Sequence, residues 1–180
     1  ESCKNSLIVN STFDVGDDGI CIKSGKDADG RNRGVACENV IVDGCTVFKG
    51  HGGFVVGSEM SGGVKNVMVT NCQFLGTDVG LRFKSVRGRG GVVENIYIKD
   101  MSMFDIQTDV VTFDLYYGGK SAVEVLNDGD QKKQQMVDMK KVDETTPAFR
   151  NIDINHVICR GARRAAYFNG LPEMPVQNIS

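Results

Sequence analysis

The chain of 180 residues is poor in several features that mark common protein classes. It has no tryptophan, only three prolines and two histidines, and its formal net charge is −2. This charge argues against general nucleic-acid binding, which usually shows as a strongly basic face. No apolar run approaches the roughly 18 residues of a membrane-spanning helix. We therefore expect neither nucleic acid nor a membrane as a partner.

The cysteines also lack the spacing of a metal site. Six are present, and none forms the CxxC pairs of structural zinc sites, so a zinc site is not expected. Cys45 and Cys72 fall at the same place in successive copies of a repeat. We interpret them as small apolar side chains stacked inside the domain rather than as a disulfide or a ligand pair.

What the chain does contain is a repeat, with an asparagine at the start of each copy. The markers are Asn5, Asn39, Asn66, Asn95, Asn151 and Asn178. They are separated by 34, 27, 29, 56 and 27 residues, and we interpret the step of 56 as about two periods. Each copy has an apolar alternating run, a glycine-rich corner and a second alternating run. Such periods indicate a solenoid, and the alternation makes its units strands.

The repeat predicts an all-β fold, a right-handed parallel β-helix with one coil per copy. A recurring asparagine suits a corner of such a coil, because its short amide tolerates the left-handed conformation and can hydrogen-bond to the next coil. Hydrophobic residues make up 41% of the chain, which is enough for residues 1–180 to form a single domain. Residues 118–148 break the pattern and are predicted to be a loop insertion, either a solvated surface loop or a wall of a binding cleft.

Aligning the first three copies brings charged residues into register. His51 and Asp78 align with Asp17, while Lys84 aligns with Lys23. The neighbouring apolar columns must face the core, so strand alternation turns the charged columns outward. The outer face is then predicted to carry Asp17, His51, Asp78, Lys23, Arg82 and Lys84.

Asp18 is the exception to this alternation. It has the parity of the core, where an unpaired carboxylate would be costly. We therefore expect the backbone to bend near Gly16 or Gly19 and bring the carboxylate of Asp18 to the outer face.

This face has the residue types that glycosidic hydrolysis requires. Adjacent Asp17 and Asp18 should repel each other, so we expect the pKa of one to rise and supply a general acid beside a general base. Arg82 and Lys84 suit a substrate that carries carboxylates. His51 can tune or shuttle the proton of the acid.

Three motifs, in this order, resemble the polygalacturonase family, glycoside hydrolase family 28. They are Gly16-Asp17-Asp18-Gly19, Gly50-His51-Gly52 and Arg82-Phe83-Lys84. The resemblance implies inverting hydrolysis of α-1,4-galacturonic linkages in pectin or polygalacturonate, without a metal or other cofactor. It implies an acidic polysaccharide as partner, a secreted or periplasmic location, and a monomer in the full-length form.

The resemblance also implies roles for individual residues. Asp17 is expected to be the general acid, with its protonation supported by His51, and Asp18 part of the base that activates water. Lys23, Arg82 and Lys84 are expected to bind substrate. The family's tyrosine in the next coil is best matched by Tyr116 rather than Tyr117, because Val111 and Phe113 are predicted to face the core and turn Tyr116 outward.

The chain departs from the family pattern in several places. The family's Asn-Thr-Asp motif, which supplies a further water-binding acid, would fall before Glu1. We therefore expect the C-terminal portion of a longer enzyme, which lacks the early coils and one water-binding acid. Gly19 stands where many members have cysteine, and Phe83 replaces the usual isoleucine with the same inward parity. The run from Gly50 to Glu59 resembles that of bacterial exo-acting members.

Three alternatives remain open on the sequence. One is a non-catalytic pectin-binding β-helix, because the further acid is missing. A second is a pectate lyase, which needs calcium and an arginine base and is disfavoured by the Gly-His-Gly motif between acids and cations. A structural or adhesive β-helix offers no reason for acids and cations to share one face.

Overall fold

The computed structural model describes residues 1–118 and 139–180, and their regular structure is nearly all strand. The strands are β1 (Lys4–Val9), β2 (Thr12–Asp14), β3 (Asp18–Ile22), β4 (Cys37–Asp43), β5 (Thr46–Phe48), β6 (Gly52–Gly57), β7 (Val64–Thr70), β8 (Gln73–Leu75), β9 (Val79–Lys84), β10 (Val92–Phe104), β11 (Asp109–Asp114), β12 (Ala148–Arg160), β13 (Arg164–Asn169) and β14 (Gln177–Ile179). One helix, α1 (Asp27–Arg33), lies within the described residues.

The strands form two sheets that wind around a common core. Sheet A runs β1-β4-β7-β10-β8-β5-β2, with β12 paired to β10 and β14 paired to β12. Sheet B runs β13-β11-β9-β6-β3. Each strand pairs in parallel with the equivalent strand of the next coil, for example β3 with β6 and β6 with β9. The parallel β-helix predicted from the repeat is confirmed.

The marker asparagines form a ladder along sheet A. Each has a φ between 51° and 57°, in the left-handed region. The Nδ2 of Asn39 donates to Oδ1 of Asn5 at 2.9 Å, and the same bond continues coil by coil to Asn178 at up to 3.5 Å. The predicted conformation and ladder are both confirmed, although the asparagines lie within the first strand of each coil rather than between strands.

One expectation about the repeat was wrong, and one element was missed. The step of 56 residues is one coil and not two, because β10 pairs directly with β12 and β11 with β13. The insertion at residues 118–148 enlarges that coil, and residues 119–138 of it lie outside the described part of the chain. Helix α1, which lengthens the first step, was not predicted. It has only seven residues and no apolar stripe, so it carries no helical periodicity.

The core consists of apolar columns that run from coil to coil. Ile22, Val56 and Phe83 are successive partners in sheet B, as the alignment predicted, and Phe113 continues the column. The rings of Phe83 and Phe113 stack at a centroid distance of 4.5 Å. This packing confirms the inward parity of Phe83. It also fixes which residues of β3, β6 and β9 must face outward.

The cysteines are consistent with a role in packing. All six are free, and Cys45 and Cys72 are buried in neighbouring coils. Burial raises the pKa of the Cys72 thiol to about 11, so it stays protonated and unreactive at neutral pH.

Candidate active site

The charged columns of sheet B have the register that the alignment predicted. The carbonyl of Asp17 accepts the N–H of His51 at 3.0 Å, and the carbonyl of Gly50 accepts the N–H of Asp78 at 2.9 Å. Cys21, Val55 and Arg82 follow one another in the next outward column. The motifs of three successive coils therefore meet on one face of sheet B.

Asp18, Arg82 and Lys84 form a buried ion triad on this face. The Nζ of Lys84 lies 2.7 Å from Oδ2 of Asp18, and Nη1 of Arg82 lies 3.7 Å from Oδ1. The three side chains are only 6–7% exposed. The carboxylate of Asp18 thus lies with the cations of this face despite the core parity of its position, while the bend expected near Gly16 or Gly19 stays a prediction. Removing Asp18 would leave two buried cations without a counter-ion, and removing either cation would take away one of the two ionic partners of a buried carboxylate.

The glycines of the Gly-His-Gly motif make this arrangement possible. Gly50 has a φ of 80°, and a Cβ there would collide with the carbonyl oxygen of Asp17. Gly52 pairs with Asp18, and a Cβ there would lie 2.5 Å from Cγ2 of Val55. A larger residue at position 50 would push the second coil away from the first, so Gly50 allows His51 to lie beside Asp17, while Gly52 leaves room for Val55 of its own coil.

Asp17 has a very different environment from Asp18. Its side chain is 84% exposed, and its Oδ1 accepts the N–H of Asp18 at 2.7 Å. The Nδ1 of His51 lies 3.4 Å from the same oxygen. The hydrogen bond from Asp18 lowers the pKa of Asp17; partial burial opposes this effect, while the positive charges of His51, Lys84 and Lys23 add to it.

The expectation that repulsion raises the pKa of one carboxyl group is therefore not met at Asp17, the residue assigned as the acid. The two groups make separate contacts: the carboxylate of Asp18 is buried on two cations, whereas that of Asp17 points to solvent and His51. In the absence of substrate, these contacts favour the ionised form of Asp17.

The structure corrects the choice of tyrosine. The ring of Tyr117, not Tyr116, lies over the site cations, with Nζ of Lys84 at 4.8 Å and Cζ of Arg82 at 5.4 Å from its centroid. Tyr116 packs against the core and lies under Arg87. The side chain of Asp114 accepts the N–H of Tyr116 at 3.0 Å in a turn that ends β11, so strand alternation no longer applies there.

Lys23 lies in the same cleft but has a partner of its own. Its Nζ makes an ion pair with Oε2 of Glu59. Partial burial lowers the pKa of Lys23, but the contacts with Glu59 outweigh burial and raise it overall. Lys23 is thus positioned as a charged group at the C-terminal end of β3.

The cleft has a volume of about 470 Å³. It is lined by Asp17, Asp18, Lys23, Ser58, Glu59, Lys84, Arg89, Tyr117 and Gly118. His51 and Arg82 contact the two aspartates at its border. Sequence reasoning missed Glu59 and Arg89. A basic, glycine-rich run, Arg87-Gly88-Arg89, directly after the Arg82-Phe83-Lys84 strand was the available signal for Arg89.

The described part of the chain has neither a cluster of potential metal ligands nor a helix that could cross a membrane. Residues 1–118 and 139–180 contain no group of three or more histidine, cysteine or acidic residues that could hold a metal ion. No helix within the same ranges is long and apolar enough to cross a membrane.

The fold and the cleft define a parallel β-helix that carries paired acids, a histidine and cations on one outer face. A family profile described as glycosyl hydrolases family 28 matches residues 1–160. The chain belongs to this family, and the resemblance drawn from its three motifs is confirmed.

Individual relatives agree with this membership. A probable polygalacturonase of Vitis vinifera is 26% identical over 180 residues, which cover 99% of this chain and 33% of the relative. An exo-poly-alpha-D-galacturonosidase of Dickeya chrysanthemi is 31% identical over 63% of this chain and 19% of the relative. The chain thus spans about a third or less of the length of these relatives.

A solved structure shows the same fold. The crystal structure of a hyperthermoactive exopolygalacturonase from Thermotoga maritima superposes with a TM-score of 0.82 at 33% identity, over 99% of this chain and 36% of that one. The similarity to bacterial exo-acting members that was expected from the run around His51 is therefore confirmed.

Proposed function

We propose that the complete protein hydrolyses α-1,4 linkages between galacturonate residues of pectin or polygalacturonate, with inversion at the anomeric carbon. The observation that carries this proposal is that two adjacent aspartates in one cleft have different environments. Asp17 is exposed beside His51, whereas Asp18 is buried between Arg82 and Lys84. Family membership and the similarity to exopolygalacturonases support the same reaction.

Asp17 acts as the general acid that protonates the leaving oxygen. It is the accessible carboxyl of the pair, and His51 lies close enough to support its proton. An acid must be protonated, yet the pKa of Asp17 is lowered in the absence of substrate. The carboxylates of a bound galacturonan add negative charge next to Asp17 and raise its pKa, so the substrate itself promotes the protonated form.

Asp18 contributes to the base that activates the attacking water. Lys84 and Arg82 fix the direction of its carboxylate, and one oxygen, Oδ1, makes no hydrogen bond to the described protein atoms. An acceptor of this kind suits a water molecule that must be oriented toward the sugar ring. The two aspartates then have the two roles that an inverting glycosidase requires.

The cations and Tyr117 bind the substrate. Lys84 has three N–H donors, and a carboxylate of the sugar can share it with Asp18. Arg82 suits bidentate contact with a carboxylate. The ring of Tyr117 lies over both cations and orients them toward the cleft. Lys23 offers a further positive charge near Asp17.

The substrate class has consequences for the protein's location. Pectin is extracellular to the organisms that degrade it, so we place the complete protein in the secreted or periplasmic space. We expect it to act as a monomer, because all the residues that line the described cleft come from one chain.

The test is the release of reducing ends from polygalacturonate by the complete protein and its Asp17→Asn variant. Loss of a general acid should lower kcat by about 10²- to 10⁴-fold. Asp14→Asn is the matched control, because Asp14 is an exposed aspartate of β2 outside the cleft. Near-normal activity of Asp17→Asn would contradict the assignment. Binding of oligogalacturonides without turnover by the unmodified protein would favour the pectin-binding module instead.

A further inference from the structure

A second group of charged side chains lies at one edge of the cleft, and of its members only Lys23 has been given a role above. Lys23 pairs with Glu59, and Nη1 of Arg89 pairs with Asp27. The Nη2 of Arg89 lies 3.9 Å from Oε1 of Glu59. We call Lys23, Asp27, Glu59 and Arg89 the edge centre.

The edge centre is assembled from three coils. Lys23 and Asp27 follow β3, Glu59 follows β6 and Arg89 follows β9. Lys23, Glu59 and Arg89 line the same cleft as Asp17 and Asp18. Helix α1 contacts the loop that carries Arg89, since Nη1 of Arg31 donates to the carbonyl of Gly88 at 2.6 Å.

Arg89 has more donors than its protein contacts use. The guanidinium offers five N–H groups. Its Nη2 lies 3.9 Å from Oε1 of Glu59, which is too long for a hydrogen bond. Its Nε is buried and has no hydrogen-bond partner among the described residues. An arginine with unused donors at a cleft suits a carboxylate ligand.

The spacing of the cations fits a polymer with a carboxylate on each sugar. Lys23 and Lys84 lie in one column of sheet B two coils apart, because Lys23 follows Ile22, the partner of Val56, and Gly57 pairs with Lys84. Their strands are therefore about 10 Å apart. A substrate chain along this column can bring one carboxylate to each cation, whereas a neutral polysaccharide has no carboxylate for either.

We propose that Lys23 and Arg89 form a second carboxylate-binding centre for the galacturonan, separate from Arg82 and Lys84. Asp27 and Glu59 are positioning residues: Asp27 holds one end of the guanidinium and Glu59 holds the ammonium group. A uronate carboxylate of the substrate shares Lys23 with Glu59 and accepts the remaining donors of Arg89. The proposal rests on the proposed function, because it assumes that the cleft binds galacturonan.

The experiment compares KM and kcat of the complete protein with those of Arg89→Gln on polygalacturonate. Charge-assisted hydrogen bonds lost from a bound substrate should raise KM about tenfold to a hundredfold, with kcat within about threefold of the unmodified protein. Arg89→Lys, which keeps the charge, should recover part of the loss. The effect should shrink on partially methyl-esterified galacturonan, in which fewer carboxylates are charged.

Arg150→Gln is the control, because Arg150 makes a comparable ion pair with Glu94 at 2.8 Å on sheet A, away from the cleft. Thermal unfolding of each variant shows whether it is folded. If Arg89→Gln is not folded, Lys23→Gln replaces it, with the same expected rise in KM.

Unchanged KM in a folded variant of the edge centre would overturn the proposal, and so would an equal loss on esterified and unesterified substrate. These results differ from a failure of the proposed function. In that case the unmodified protein would release no reducing ends, whereas here the unmodified protein would be active and Asp17→Asn inactive.

Discussion

The outer faces of sheet A and sheet B are built on the same coils but differ in how their columns change along the helix axis. On sheet A one column is asparagine in every copy, and its members bond to one another from Asn5 to Asn178. On sheet B a column passes from Asp17 to His51 to Asp78. A constant column supports the backbone, whereas a column whose residue type changes brings different chemical groups to one place.

The two faces also differ in how their polar groups are stabilised. The asparagines are exposed and neutral, so each ladder bond contributes a modest amount, about 0.5–1.5 kcal/mol. The triad of Asp18, Arg82 and Lys84 is buried and charged, so its members depend on one another. Substitutions on sheet A should therefore weaken the fold gradually, and those in the triad should damage fold and function together.

The largest expected effect comes from breaking the triad with Lys84→Met. This change removes the hydrogen bond at 2.7 Å from the buried carboxylate of Asp18 and leaves Arg82 at 3.7 Å as its remaining ion-pair partner, and should lower the free energy of unfolding by about 3 kcal/mol. Urea unfolding of the complete protein and of the variant measures this loss. Lys65→Met on sheet A is the control, because Lys65 pairs with Glu38 on the surface and should matter far less. Equal losses would remove the distinction between the faces.

The second effect is on the pH dependence of the reaction. A general acid works in its protonated form, so kcat/KM should fall about tenfold per pH unit above the pKa of Asp17. The lowered pKa of Asp17 places this fall in the acidic range for the free protein. Bound substrate raises that pKa, so the corresponding fall in kcat should occur at higher pH. Coincident profiles for kcat and kcat/KM would contradict the role given to the substrate.

A smaller loss is expected from the ladder itself. Asn66→Ala removes bonds to Asn39 and Asn95 and places an alanine in the left-handed region, which should cost about 2 kcal/mol. Asn66→Gly tolerates that conformation and should cost about half as much. Urea unfolding separates the two variants, and activity of the complete protein should be unchanged in both. Identical losses would show that conformation contributes nothing.

The smallest effect tests which tyrosine belongs to the site. Tyr117→Leu removes the ring over Lys84 and Arg82 and should raise KM a few-fold, equivalent to about 0.5–1 kcal/mol. Tyr116→Leu should instead lower stability without changing KM, because Tyr116 packs against the core. The opposite pattern in steady-state kinetics would restore Tyr116 to the site.

Much of the fold could be predicted because a solenoid repeats one local rule. Alternation in β3, β6 and β9 predicted the inward columns, and these in turn predicted the outward facing of Arg82 and Lys84. The rule failed where the chain leaves the strands. Helix α1 has too few residues for a periodic signal, and the turn at Asp114 shifts Tyr116 and Tyr117 out of phase.

The sequence by itself determined the coil register, the asparagine ladder and the set of charged residues on one face, because all three follow from a period and from alternation within strands. Only the tertiary structure decided how those charges pair. It buried Asp18 on two cations, left Asp17 in solvent with a lowered pKa, and brought Glu59 and Arg89 to the cleft from loops. Pairing depends on distances between side chains of different coils and on their burial, and neither is encoded in the spacing of residues along one strand.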